Sequence, residues 1–452
     1  MNFVGKIFKF RGGVEVEGRK ELSSGCPLER APRPGRLVVS MIQHRGVPAV
    51  PGVVPGEHVA KFQKIADAAG KVSSPIHAPH AGVVKAVVAS ATASTRVADA
   101  IVLDLDPEDG VPDASLKPIE NWAEVPAAEL LGRIRDAGVV GAGGAGFPTY
   151  VKLAPVAGRT IDTVIVNGAE CEPYLNGDNR LMIERASELW IGALILRRVT
   201  GARRVVFAVE DNKPKAIAAL EAALAGTDGE IAVLPHAYPQ GSEKHIVYSV
   251  TGRKIPYGKL PADVGCIVEN IWTTLTVHRA ILRGEPVTVR TITVSGEAIA
   301  RPANFAAPIG MSVRDLVDAA GGFRFPPAKA ICGGPMMGIA MPSLDVPITK
   351  TTSGLVFLGG GDAFEFSSSP CINCGRCVEA CPMGLVPSEI SQAVESGDIP
   401  LAGRLHVESC FECGCCAYVC PARRPLVQHN QRAKAILAAR RAVAFRKEDG
   451  GK

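Results

Sequence analysis

Nine of the 13 cysteines fall between Cys371 and Cys420. They make two runs of one spacing, Cys371-x2-Cys374-x2-Cys377-x3-Cys381-Pro382 and Cys410-x2-Cys413-x2-Cys416-x3-Cys420-Pro421. C-x2-C-x2-C-x3-C-P is the spacing that holds two [4Fe–4S] clusters. Three cysteines three residues apart wrap three corners of one cubane. The fourth enters a helix that leads away and reaches the neighbouring cluster, and the proline after it suits a helix start. Cluster one is therefore expected on Cys371, Cys374, Cys377 and Cys420, and cluster two on Cys410, Cys413, Cys416 and Cys381. Cys415 lies outside the register and reads as a spare thiol. Structural zinc uses pairs of C-x2-C, without the third step or the trailing Cys-Pro.

A second chemical signal is glycine. Val139–Thr149 reads VVGAGGAGFPT, a formal G-x-G-x-x-G. Such glycines let backbone N–H groups approach a phosphate or a flat ring. A dinucleotide fingerprint needs a strand before it and a helix straight after. Here Leu130, Leu131 and Ile134 give the preceding stretch, 127–137, helical spacing, and Pro148 follows the loop. Thr163–Val166 then reads as a buried strand ending in Asn167-Gly-Ala-Glu170-Cys171-Glu172-Pro173. Polar groups at the C-terminal end of a strand sit where α/β sheets bind ligands. The alternation continues with a strand over 204–209, an Ala-rich helix over 213–224 and a strand over 231–234. Tyr238-Pro-Gln-Gly241-Ser242-Glu243-Lys244 leads into another helix. The elements that position these groups are thus an α/β domain with a parallel sheet.

Length and composition bound the rest. At about 150 residues per domain, 452 residues allow three domains or four. A net charge of +5 and 5% aromatic residues argue against a dedicated nucleic-acid binder. With 47% hydrophobic and 21% charged residues, disorder is excluded. Clustered cysteines exclude a disulfide-rich secreted framework and point to metal in a reducing compartment. The N-terminus, MNFVGKIFKFRGG, has no signal-peptide pattern. The longest uncharged stretches, 137–151 and 330–344, contain Gly or Pro and fall short of the ~20 apolar residues of a spanning helix. The chain reads as soluble and cytosolic.

The ordered set GAGGAGFPT, VNGAECEP, YPQGSEK and a double cluster motif resembles the C subunit of the Rnf electron-transport complex. It is similar, more distantly, to the flavin- and NADH-binding subunit of respiratory complex I. Phe10–Gly13, Gln43–Pro51 and Ser74–Gly82 resemble that family's N-terminal segment, and Val287–Gly296 and Ile331–Gly338 its β-grasp domain. The resemblance implies an α/β multidomain chain. Its parts would be a barrel-sandwich-like N-terminal module (1–120), an FMN/NADH-binding α/β domain (121–285), a β-grasp domain (286–360) and a ferredoxin-like, two-cluster helical domain with a basic tail (361–452).

The resemblance also implies roles. Gly141, Gly143 and Gly144 would lie against FMN, with Lys152 near its phosphate. Asn167 and Glu170 would line the isoalloxazine, and Glu172 the nicotinamide pocket. Phe147 would offer NADH an aromatic face. Gly241 and Glu243 would close the flavin's other side, and Asn270 and Thr273 would contact the phosphate region. Ala169 stands where the complex I relative has aspartate, and Glu269-Asn270 where relatives carry two asparagines. No catalytic acid–base pair is implied. NADH gives two electrons and a cluster takes one, so a flavin is needed between them. The implied function is electron input to a membrane complex that transfers electrons between NAD(H) and ferredoxin, coupled to Na⁺ or H⁺ movement by other subunits. The chain would be peripheral, on the cytoplasmic side of the cell membrane. Its partners would be a ferredoxin-like subunit, integral membrane subunits and ferredoxin. Two alternatives stand beside this: a soluble flavin/iron–sulfur cobalamin reductase, similar from Gly141 onward, and an iron–sulfur relay or docking subunit without its own substrate site.

Two further segments carry weaker signals. Residues 38–90 alternate apolar and turn residues, and Ser74–Gly82 reads as a hairpin of a lipoyl-type barrel-sandwich. Its tip has no lysine, so docking or packing is expected and carrier function is not. His77 and His80 read as packing or surface residues. The tail from Gln431 carries Arg432, Lys434, Arg440, Arg441, Arg446 and Lys447 beside Ile436, Leu437, Val443 and Ala444. It reads as a basic helix that either lies on an anionic surface or packs on the cluster domain.

Overall fold

The computed structural model describes residues 2–93, 96–144, 146–156, 158–361, 363 and 367–449, with side chains described to residue 443. A five-stranded sheet lies at its centre. From edge to edge its strands are Asn2–Phe3, Glu230–Leu234, Arg204–Glu210, Thr163–Gly168 and Cys266–Asn270, and every pair is parallel. Strand side chains alternate between faces, and a parallel sheet is covered on both. Val164, Val166, Phe207 and Val209 enter one core with the helices Ala186–Thr200 and Ile271–Leu282. Ile165, Val206, Ala208 and Val268 enter the other, under Ile246, Val247 and Val250 of the helix Glu243–Thr251. Gly192 lets two of these helices touch: a Cβ there would stand 2.3 Å from the Thr274 carbonyl oxygen. The predicted strands and helices all appear, and the helix after the glycine loop is the short Thr149–Leu153.

A six-stranded mixed sheet follows, in the order Ile339–Ala340, Lys329–Cys332, Gly354–Leu358, Val289–Ser295, Ala303–Pro308 and Leu28–Arg30. The helix Val313–Ala319 packs on it through Val313, Leu316 and Val317. The N-terminal module has a four-stranded sheet (Arg36–Ser40, Val97–Leu105, Gly82–Ala91, His58–Val59) and a three-stranded one (Val50–Pro51, Lys64–Asp67, Ile76–His77). Its Leu37, Ile65, Ile101 and Leu103 share one core with Ile292, Phe305 and Phe357 of the mixed sheet.

One expectation is corrected. Ser74–Gly82 is no hairpin: Ile76–His77 pairs with Lys64–Asp67, whereas Gly82–Ala91 belongs to the other sheet, so the segment crosses between sheets. Its tip is buried, with His77 3% exposed, and His80 bonds Asp109 at 2.7 Å. Chain order and spatial modules also part company before residue 31. Asn2–Phe3 extends the central sheet and Leu28–Arg30 the mixed sheet.

The C-terminal domain is helical: Arg376–Glu379, Pro387–Glu395, Ile399–Arg404, Cys415–Tyr418 and Leu426–Asp449. The last helix packs on it. Leu426 and Ala433 are buried, Ile436 and Leu437 join the core around Ile390 and Val394, and Arg441 pairs with Glu408. Val443 is exposed. The side chains of Ala444, Arg446 and Lys447 lie outside the described residues. Among the described residues no helix is long and apolar enough to cross a membrane.

Candidate flavin and iron–sulfur sites

The glycine loop is closed by its own backbone: Gly141 N donates to the Phe147 carbonyl (2.8 Å) and Gly146 N to that of Gly141 (3.1 Å). Closure turns Gly143 and Gly144 outward, and both are exposed. Gly144 has φ +99°, which favours glycine, and an added Cβ there would meet nothing within 4 Å. Its backbone therefore borders open space, as a cradle for a ring or phosphate requires. Thr273 bridges the loop from behind, its Oγ1 accepting from Ala142 N and donating to the Val140 carbonyl. Phe147 is half-buried at the loop's far side.

The other predicted residues gather at the ends of the central strands. Asn167 donates to the Gly241 carbonyl (2.8 Å), and its Oδ1 accepts from Ala169 N. Asn270 caps the helix Ile271–Leu282 by accepting from Trp272 N, and it donates to Asp178 at 2.6 Å. Lys152 donates to Glu243 (2.6 Å) and to the Val268 carbonyl, with Glu269 3.6 Å away. Burial alone would lower the Lys152 pKa, but Glu243 and Glu269 outweigh it and hold the ammonium charged. Burial raises Glu269 to about 7.

Glu170 and Glu172 face inward rather than outward. Glu170 sits at φ +45°, a left-handed conformation costing about 1–3 kcal/mol. Its carboxylate accepts from Asp178 N and Asn179 N at the start of the helix Gly177–Glu184. Lys20 fastens the same turn, donating to the carbonyls of Glu170, Glu172 and Leu175. Glu172 accepts from Met336 N (3.0 Å) and Met337 N (2.8 Å) of the mixed-sheet module, and burial raises it to about 7. Cys171, between them, has its thiol pushed up to about 12 by burial and then by Glu210.

Among the described residues no group of three or more His, Cys, Asp or Glu side chains converges on one ion. The eight register cysteines line two separate cavities instead. Cys371, Cys374, Cys377 and Cys420 border one of about 120 Å³, with Arg424 and Leu426. Cys381, Cys410, Cys413 and Cys416 border the other, with Phe411 and Asn430. Those are the two crossed sets read from the spacing, and Cys415, fully buried, borders neither. Four thiols around a void of about 120 Å³ suit a cubane at the first set; the second void is tighter, about 20 Å³, with the same four-thiol lining.

The two cavities differ in setting. The second abuts the flavin domain. Tyr238 donates to the Cys413 carbonyl at 2.7 Å, and His245 Nε2 lies 3.3 Å from the Pro382 carbonyl. Cys171, Tyr238, Cys413, Cys415 and Met336 form one buried cluster. The first cavity lies at the surface, with Cys374 exposed and Ile372 65% exposed. Tyr238 was visible in the sequence only as part of a motif. Lys20 left no signal, because its partners lie 150 residues away.

Four family models match the chain: the Nuo51 FMN-binding domain at residues 134–279, the RnfC barrel sandwich hybrid domain at 8–108, the SLBB domain at 291–340 and the 4Fe-4S dicluster domain at 370–423. Fold, site and these matches define a modular iron–sulfur flavoprotein whose cofactors are FMN and [4Fe–4S] clusters. Several relatives cover most of the chain. The C subunit of the proton-translocating ferredoxin:NAD(+) oxidoreductase complex of Clostridium ljungdahlii is 42% identical over 386 residues, 84% of this chain and 83% of that one. The C subunit of the ion-translocating oxidoreductase complex of Rhodobacter capsulatus is 42% identical over 440 residues, 96% and 84%. The Pseudomonas aeruginosa protein of the same name is 42% identical over 85% of this chain and 50% of its own. The chain belongs to the family formed by the C subunits of Rnf-type ion-translocating oxidoreductase complexes. A crystal structure of an NAD⁺-reducing [NiFe]-hydrogenase is similar at a TM-score of 0.48 and 20% identity, over 67% of this chain and 57% of that one.

Proposed function

We propose that the chain is the peripheral electron-input subunit of a complex that moves electrons between NAD(H) and ferredoxin, with ion movement carried by other, membrane-embedded subunits. The carrying observation is the packing of the second cysteine set against Cys171 and Tyr238 of the flavin domain, with the first set at the surface. FMN, when bound, exchanges an electron pair with nicotinamide and single electrons with iron–sulfur clusters. The chain's residues supply placement. Gly141, Gly143 and Gly144 present backbone to the flavin, with Thr273 behind them. Asn167 and Gly241 fix each other at the strand end, and Phe147 is the loop's own aromatic residue. Lys152, Glu243 and Asn270 border the same strand ends. Glu170 and Glu172 act from behind as supports, since their carboxylates are occupied by backbone N–H groups. Cluster one takes Cys371, Cys374, Cys377 and Cys420, and cluster two takes Cys410, Cys413, Cys416 and Cys381.

Along the chain the modules are taken as 1–120, 121–285, 286–360 and 361–452, with Asn2–Phe3 and Leu28–Arg30 of the first lending strands to the second and third. The four family matches fall inside these bounds and support the division. The mixed sheet with its packed helix supports a β-grasp reading of 286–360. Site one's exposure suits delivery to a ferredoxin-like partner, and location on the cytoplasmic face of the membrane follows from the NAD(H) substrate. The test is to reconstitute the full chain with iron, sulfide and FMN and add NADH without oxygen. Bleaching of flavin and cluster absorbance is expected; absorbance unchanged by NADH but bleached by dithionite would refute the NADH role.

A further inference from the structure

The flavin domain does not shape the glycine loop alone. The mixed-sheet module reaches beneath it at three points. Lys350 Nζ donates to the Gly138 carbonyl at 2.8 Å. The Thr351 methyl would stand 2.7 Å from a Cβ at Gly146. Arg290, on the strand Val289–Ser295, donates from Nε to the Thr352 carbonyl (2.8 Å) and from one terminal nitrogen to the Ala142 carbonyl (3.1 Å). Arg290 is 2% exposed, and its guanidinium lies 4.5 Å from the centre of the Trp272 ring. Its other terminal nitrogen has no partner among the described residues. Asp178 and Glu170 are its neighbouring carboxylates.

The peptide units around Ala142 are thereby held from two modules. Thr273 of the flavin domain accepts from the Ala142 N–H, and Arg290 of the next module donates to the Ala142 carbonyl. That carbonyl belongs to the peptide unit leading into Gly143, where the backbone becomes exposed. Only a planar fork bonds two carbonyls, Ala142 and Thr352, in one fixed geometry; a lysine reaches one of them with a rotatable ammonium. A fixed cation behind the loop also favours whichever state of a bound flavin carries more negative charge, which is the reduced one.

We propose that Arg290 is an FMN-positioning residue: it orients the Ala142 carbonyl so that Gly143 and Gly144 meet the cofactor, and its charge raises the flavin's reduction potential. This rests on the FMN reading above. The test uses the full-length chain loaded with iron and sulfide, as wild type, Arg290→Lys and Arg290→Met. FMN affinity is read by fluorescence quenching, flavin midpoint potential by titration, and iron content and unfolding midpoint are read alongside. Both variants are expected to bind FMN about tenfold more weakly or worse, as loss of a charge-assisted bond implies. Arg290→Lys keeps the potential and Arg290→Met lowers it, a separation that a purely structural role would not give. Wild-type FMN affinity in both variants, or an unchanged potential in Arg290→Met, overturns the inference. Should Arg290→Met not fold, the affinity of Arg290→Lys decides alone. Failure of the wild type itself to bind FMN would strike the FMN reading instead.

Discussion

Glu170 and Glu172 are where residue type and residue role diverge most. Two glutamates at a strand end read as groups facing a ligand, yet both carboxylates take backbone N–H groups, one from a helix start and one from a loop 164 residues away. The backbone around them, with φ +45° at Glu170 and +67° at Tyr174, turns them inward, and no spacing rule encodes that turn. The cysteines are the opposite case. Their register depends on local geometry alone, so the spacing predicted both sets of four that line the cavities. Cys415 sits one residue from Cys416 and packs beside Cys413, yet it lines neither cavity. Cys415→Ser is expected to leave iron content unchanged, whereas Cys416→Ser loses one cluster's share, read by iron and sulfide analysis. Equal losses would mean that the register is misassigned.

At the scale of elements, short apolar runs located the three inner strands at 163–168, 204–210 and 230–234, because burial on two faces leaves such runs continuous. The strands Asn2–Phe3 and Cys266–Asn270 and the helices Ala186–Thr200 and Ile271–Leu282 were not read from the sequence. The short strands of the N-terminal module were not legible in the same way. Ile76–His77 and Gly82–Ala91 look like one hairpin in sequence, and only the partner strands assign them to different sheets. The tie between Glu172 and the Met336–Met337 turn was equally hidden, and it depends on Gly334. A Cβ at Gly334 would fall 2.3 Å from the Glu172 carboxylate. Gly334→Ala should therefore displace the turn, costing about 1–3 kcal/mol in denaturant unfolding. It should also slow NADH-driven cluster reduction, because Met336 O faces Gly414 beside Cys413. A variant with wild-type midpoint and rate would show that this tie does nothing.

Across the whole molecule, the modules are joined by buried polar groups as well as by a shared apolar core. Lys350 bonds the Pro75 and Gly138 carbonyls, so one side chain of the mixed-sheet module holds the N-terminal module and the flavin domain together. Burial lowers its pKa to about 7. His44 and His77 beside it are lowered to about 4 and about 3, by burial and then by Lys350. In the unfolded chain Lys350 regains its ordinary value near 10.5. Between those values the unfolded state binds more protons than the folded one, so this group makes stability rise with pH. The burden of a buried cation is full below pH 7 and is lifted as pH climbs towards 10. Each tenfold displacement of a protonation equilibrium is worth about 1.4 kcal/mol. Lys350→Met should thus lose more stability relative to wild type at pH 9.5 than at pH 7, read from urea midpoints. A difference independent of pH would mean that Lys350 stays charged.

The proposed electron path is a line through the molecule: glycine loop, second cysteine set, first cysteine set. The most direct measurement compares NADH reduction, followed by anaerobic stopped-flow absorbance and low-temperature EPR, in Cys410→Ser and Cys371→Ser. Dithionite supplies the total reducible cluster in each. The arrangement predicts that Cys371→Ser still reduces cluster two from NADH at close to the wild-type rate, while Cys410→Ser leaves cluster one oxidised by NADH though reducible by dithionite. Rapid reduction of cluster one by NADH in Cys410→Ser would contradict it.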